Sequence, residues 1–175
     1  ESVKTHYDLI KIIEGSSNKA YFDTANNVTD GFGFNMDSIV AKDAWDTLEI
    51  EEDFALVYNG LAEISEDTSK KLFYFFWDSS KEAAQRSSFY LGVDWNELPE
   101  WHRFILTDIA YNTGDVSGWY KVFVETDARR VLFEARRKQH NIDSRIAKIG
   151  HFYKLIEDFD EDGDIDLEDV KFIGL

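Results

Sequence analysis

Glu14-Gly15, Ala20-Tyr21-Phe22-Asp23 and Thr29-Asp30-Gly31-Phe32-Gly33 follow one another between residues 14 and 33, and the fold is read outward from them. Upstream, Tyr7, Leu9, Ile10, Ile12 and Ile13 recur at helical spacing, so residues 3–13 read as an amphipathic helix. Glu14-Gly15 ends that helix, with the glycine suited to a C-terminal cap. From Ala20 to Met36 the composition shifts to Tyr, Phe, Thr, Asn, Asp and Gly, a pattern that predicts short strands joined by tight turns. Asp37-Ser38 is expected to cap a short helix through Leu48. Ser65 opens a second clear helix, with Glu66 and Asp67 in its first turn, running to about Leu91. Gly92 to Pro99 breaks the pattern, Trp101–Tyr111 resumes it, and helices follow at Asp127–Gln139 and Ser144–Ile156. The predicted class is α+β, mainly α.

Bulk properties narrow the function. The 175 residues suffice for one ordinary domain or a small bilobal one, and 43% hydrophobic with 31% charged residues is a globular profile. No apolar run approaches the roughly 20 residues of a membrane span. No basic-then-apolar leader precedes the first helix, so no secretory signal is visible. The absence of cysteine removes disulfides and thiolate metal sites. A net charge of −16 argues against a sequence-independent nucleic-acid binder, which needs a basic face.

Carboxylates are the chemistry the first stretch offers. Cleaving a glycosidic bond takes one carboxylic acid to protonate the leaving oxygen and a second carboxylate to guide water, or attack, from the other face. Glu14 at a helix end, beside Tyr21, Phe22 and Phe32 in sequence, suits a site dry enough to raise an acid's pKa. Asp23 follows nine residues later and Thr29 six after that. Gly31 and Gly33 would let a sugar approach the backbone. Taken singly, each of these residues is commonly a solvated surface group.

Together they resemble the active-site segment of phage-type lysozymes, the T-even-phage group especially: Glu-Gly, an Asp with eight residues between it and the Glu, a Thr with five residues between it and the Asp, then Gly-x-Gly. Both spacings hold here. The resemblance implies Glu14 as general acid, Asp23 as the carboxylate placing the attacking water, and Thr29 as that water's second holder. It implies Gly33 and Phe34 at the substrate, although Phe34 stands where the family often has His. Asp30 stands where an apolar residue is usual, an extra charge beside Thr29. Leu106 to Gly114 is similar to the family's second-lobe helix, which would turn Asn112 to the sugar cleft. Ser144-Arg145 is similar to the Arg that pairs with the catalytic Glu.

The implied fold is two-lobed, with a small N-terminal β region. Its N-lobe covers about 12–64, the interlobe helix about 65–91 and a helical C-lobe about 92–157, with the first helix packed on the C-lobe. The implied activity is a muramidase acting on bacterial peptidoglycan, by inversion if the family pattern holds and with no cofactor for catalysis. The enzyme is expected as a monomer, in the host cytoplasm before release to the periplasm. Other readings are a virion-associated component, an inactive wall-binding module of the same fold, or a lytic transglycosylase, which would need neither Asp23 nor Thr29.

A second constellation closes the chain. Asp158, Asp160, Asp162, Gly163, Asp164, Ile165, Asp166 and Asp169 fit positions 1, 3, 5, 6, 7, 8, 9 and 12 of a calcium-binding EF-hand loop, and 158–175 is read as that loop with a short exit helix. These twelve loop residues hold eight acids and no base, half of the net charge. Asp169 replaces the usual Glu at position 12, which weakens calcium binding or admits magnesium. A single loop favours a structural ion over a signalling switch.

Remaining features have plainer readings. Phe73, Phe76 and Trp77 at helical spacing are core, whereas Trp119 and Tyr120, after the Gly114–Gly118 turn, are better candidates to face a cleft. His6, His102, His140 and His151 are scattered and take no role. Arg129-Arg130 and Arg136-Arg137-Lys138 form the one basic cluster, by default a solvated helix face.

Overall fold

The computed structural model describes residues 6–14, 17–22, 26–31, 34–114, 116, 118–136, 148–157 and 161–163, with the backbone alone at 12–14, 17 and 136. The described chain is mainly helical with one small antiparallel sheet, an α+β arrangement weighted to α. It divides into two compact units, 1–76 and 77–175.

In the first unit, α1 (His6–Glu14) leads into β1 (Ser17–Phe22), β2 (Val28–Gly31) and β3 (Phe34–Asn35), then α2 (Ala41–Thr47) and α3 (Phe54–Tyr58). The sheet has the order β1-β2-β3, each pair antiparallel, with Tyr21 opposite Thr29 and Asp30 opposite Phe34. Tyr7, Leu9 and Ile10 bury one stripe of α1, as the spacing predicts. The core beneath the sheet gathers Val28, Phe34, Met36, Trp45, Val57, Ile64 and Leu72. Its rings meet at offset or edge geometries: Phe34 lies 6.2 Å from Trp45 and 5.3 Å from Phe76. The Trp45 indole N–H donates to the Glu52 carbonyl at 2.7 Å, so the buried ring leaves no orphaned donor.

Helix α2 begins later than the sequence suggests. Asp37 does not cap it: its carboxylate accepts from the Val28 N–H at 2.6 Å and from the Tyr58 hydroxyl at 2.7 Å. The N-cap is Val40, without a side-chain bond. The hairpin competes for the aspartate and wins, because the Val28 N–H and the Tyr58 hydroxyl both donate to its carboxylate.

Helix α4 (Glu66–Tyr90) spans the boundary between the two units. Ser65 caps it as expected, its Oγ accepting from the Thr68 N–H at 3.1 Å. The Ser65 N–H and the Thr68 hydroxyl both donate to the Glu52 carboxylate, at 2.7 Å each. Tyr7 and Lys11 of α1 both donate to the Glu66 carboxylate at the start of α4, at 3.1 and 2.8 Å. Ser65→Ala is expected to cost about 1 kcal/mol, read as a melting temperature lower by about 2–4 °C in calorimetry. No change would mean that Glu52 alone sustains the helix start.

In the second unit, a 3₁₀ turn (Trp95–Glu97) precedes α5 (Glu100–Thr113), α6 (Tyr120–Val124), α7 (Ala128–Arg136) and a helical stretch at 148–152. The centre of α5 is buried, with Phe104 5.1 Å from Trp77. Gly114 ends it at φ +70°, its N–H donating to the Ala110 carbonyl at 2.8 Å, the left-handed cap that the glycine permits. His102, buried, lies 2.5 Å by Nε2 from the Val122 carbonyl. Burial lowers its pKa against the opposing effect of that bond, so it is a neutral core histidine. Asp127 caps α7 through the N–H groups of Arg129 and Arg130, whose side chains are exposed while Val131, Leu132 and Ala135 are buried. No helix among the described residues is long and apolar enough to cross a membrane.

Candidate functional site

Of the three residues expected to do the chemistry, Glu14 is the last residue of α1 and its side chain lies outside the described residues. Asp23 falls in the interval between β1 and β2, also outside them. Thr29 is described fully. It occupies β2 between Tyr21 and Asn35 on the flanking strands and is 1% exposed. Its hydroxyl donates to the Asn27 carbonyl at 3.2 Å, and a hydroxyl oxygen that donates keeps the capacity to accept. Tyr21, directly across the ladder, is 40% exposed and therefore marks the more open end of this pair.

Among the expected substrate residues, Gly33 lies outside the described residues, and Phe34 is buried against Trp45 and Phe76. Asn112 is exposed on α5, its amide donating to the Asp108 carbonyl at 2.7 Å. Trp119 is buried, and the exposed ring is its neighbour Tyr120. The reason is periodicity: Trp119, Val122 and Phe123 stand at i, i+3 and i+4 and bury one face of α6, which leaves Tyr120 and Val124 outside. Arg145 lies outside the described residues.

Of the calcium-loop residues, Asp162 is described and exposed; Asp158, Asp160, Asp164, Asp166 and Asp169 lie outside the described residues. Gly163, assigned to the sharp turn at loop position 6, has φ +102°, a conformation that favours glycine. A Cβ there would meet nothing within 4 Å, so the demand for glycine is conformational, not steric. The described residues include no group of three or more His, Cys, Asp or Glu side chains that could hold a metal ion.

In the sequence Asp30 is an extra charge beside Thr29; its setting comes from the fold. The residue has no solvent exposure, and among the described residues neither carboxylate oxygen has a hydrogen-bond partner. Burial first, and the neighbouring negative charge of Glu52 second, raise its pKa to about 7. Burial also pulls on Glu52, but its bonds from Thr68 and Ser65 outweigh that and hold its pKa below the usual value. The proton therefore goes to the acid that lacks donors. Nothing in the local sequence marks Glu52 as Asp30's neighbour.

Neither a protein-family model nor a curated protein matches this chain.

Proposed function

We propose that the chain is a peptidoglycan hydrolase of the phage-lysozyme type, a muramidase cleaving the β-1,4 bond between N-acetylmuramic acid and N-acetylglucosamine. The observation that carries this reading is the spacing of Glu14, Asp23 and Thr29. It is supported by the frame in which that spacing sits, a helix ending at Glu14 followed by a small antiparallel sheet with Thr29 on its central strand. In this reading Glu14 protonates the leaving oxygen, and Asp23 with the Thr29 oxygen orients a water for inversion. Asp23 acting as nucleophile would instead retain the anomeric centre. Arg145 would pair with Glu14, and Gly33 and exposed Asn112 are the expected substrate residues that stay candidates, whereas Phe34 and Trp119 belong to the core. Peptidoglycan is the partner, with the enzyme a monomer stored in the host cytoplasm until release.

Clearing of chloroform-permeabilised Gram-negative cells, with mass spectrometry of the fragments, tests the reading. Clearing with hydrated reducing ends is expected. Anhydro ends would assign a transglycosylase, and no clearing by folded protein would favour a wall-binding module.

The acidic segment would hold a structural Ca2+, or Mg2+, through Asp158, Asp160, Asp162, Asp164, Asp166 and Asp169. The positive φ of Gly163 suits its assigned turn. At calcium 100-fold above its Kd, binding to the folded state alone adds about 2.7 kcal/mol. Chelation is then expected to lower the melting temperature by about 5–10 °C. An unchanged melting temperature would remove the structural role.

A further inference from the structure

Asp30 is a fully buried carboxyl on the central strand of the sheet, and no donor among the described residues satisfies it. Phe34 stands opposite it on β3 and offers no polar side chain. From α4, Ser69 approaches the same strand closely enough that a Cβ at Gly31 would lie 3.1 Å from its Oγ. The charged and titratable groups of the surrounding elements are otherwise engaged. Glu66 is bound by Lys11 and Tyr7. Asp67 pairs with Lys71, and Lys19 with Glu63. Asp37 accepts from Val28 and Tyr58. Lys70 lies over the Tyr7 ring, and Tyr21 is partly exposed on β1. Among the described residues no cation pairs with Asp30, and Glu52 adds a like charge.

Thr29 is the preceding residue of β2, so any shift of Asp30 is passed directly to it through one peptide unit. We propose that Asp30 is a positioning residue for the hydrolysis: as the neutral acid it stays beneath the sheet and holds Thr29 in place, and its ionisation displaces β2, so that activity fades as pH rises past neutrality. The physical cause is that an ionised carboxylate without donors cannot stay in an apolar setting at tolerable cost, whereas the neutral acid can. A pKa near 7 sets where the change falls. The proposal rests on the role given to Thr29 in the hydrolase reading.

The test is the pH profile of cell-wall clearing for wild type, Asp30→Asn and Asp30→Leu, at a temperature where each remains folded. The wild-type alkaline limb should fall near pH 7, with activity at pH 8.5 about thirtyfold below its maximum, as one proton of that pKa dictates. Both variants should keep their activity to higher pH. Variants that share the wild-type limb would assign it to Glu14 and overturn the proposal. Should neither variant fold, carboxyl-carbon NMR of wild type decides. An Asp30 signal titrating near pH 7 together with the Thr29 amide supports the proposal, and titration in the ordinary carboxylate range overturns it. Wild type that clears at no pH would bring down the hydrolase reading and this proposal together, whereas clearing with unmoved limbs would bring down only the latter.

Discussion

Glu14→Gln is expected to slow wall clearing by about 10²–10⁴-fold, the usual contribution of a general acid. A sugar alkoxide is a poor leaving group, and in the proposed mechanism Glu14 supplies the proton that makes its departure feasible. Glutamine keeps the shape and the hydrogen-bonding reach of the side chain but has no acidic proton, so binding of the glycan should survive and turnover should not. Stability offers a built-in control. Glu14 is the final residue of α1, where a negative charge opposes the helix dipole, so neutralising it should leave the melting temperature unchanged or slightly raised. Loss of clearing with retained melting temperature and retained wall binding would identify an acid in the reaction. A variant within tenfold of wild type would remove Glu14 from the chemistry.

Asp30→Asn should stabilise the protein at pH 8 by up to about 4 kcal/mol and change little at pH 4. The sign follows from linkage. Below the unfolded carboxyl's value of 3.8 both states hold the proton, and Asp30 carries no ionisation penalty. Between 3.8 and about 7 the unfolded chain ionises while the folded one does not, and folding loses about 1.4 kcal/mol for each pH unit. Above about 7 both are ionised and the penalty is complete. The neutral acid and the amide each leave buried polar atoms without partners, so that cost largely cancels between them. The figure is an upper bound, because β2 can relax around the charge. Denaturant unfolding at pH 4, 6 and 8 measures it. A stability difference that stays flat across this range would show that the carboxyl finds a partner when folded.

Local signals made much of the framework legible. Ser65 bonding the Thr68 N–H, the left-handed Gly114 at the end of α5, and the buried stripe of Tyr7, Leu9 and Ile10 each depend on neighbours within a few residues. The five-residue helices α3 and α6 escaped notice because one turn and a half holds too few positions to show a period. Trp119 illustrates the consequence: once α6 exists, its place at i, i+3, i+4 with Val122 and Phe123 puts it inside. Asp37 shows the competition in the other direction, a good capping residue claimed by Val28 and Tyr58 from distant parts of the chain.

By itself the sequence determined the succession of helix, sheet and long helix, the spacing of Glu14, Asp23 and Thr29, and the acidic loop pattern around Gly163, because each is written in short-range order. Only the tertiary structure decided that Asp30 is buried with no donor among the described residues, and that Glu52, 22 residues away, is the acid that keeps its charge. Burial and the field of a distant carboxylate are properties of the packed chain, and no local pattern of residues encodes them.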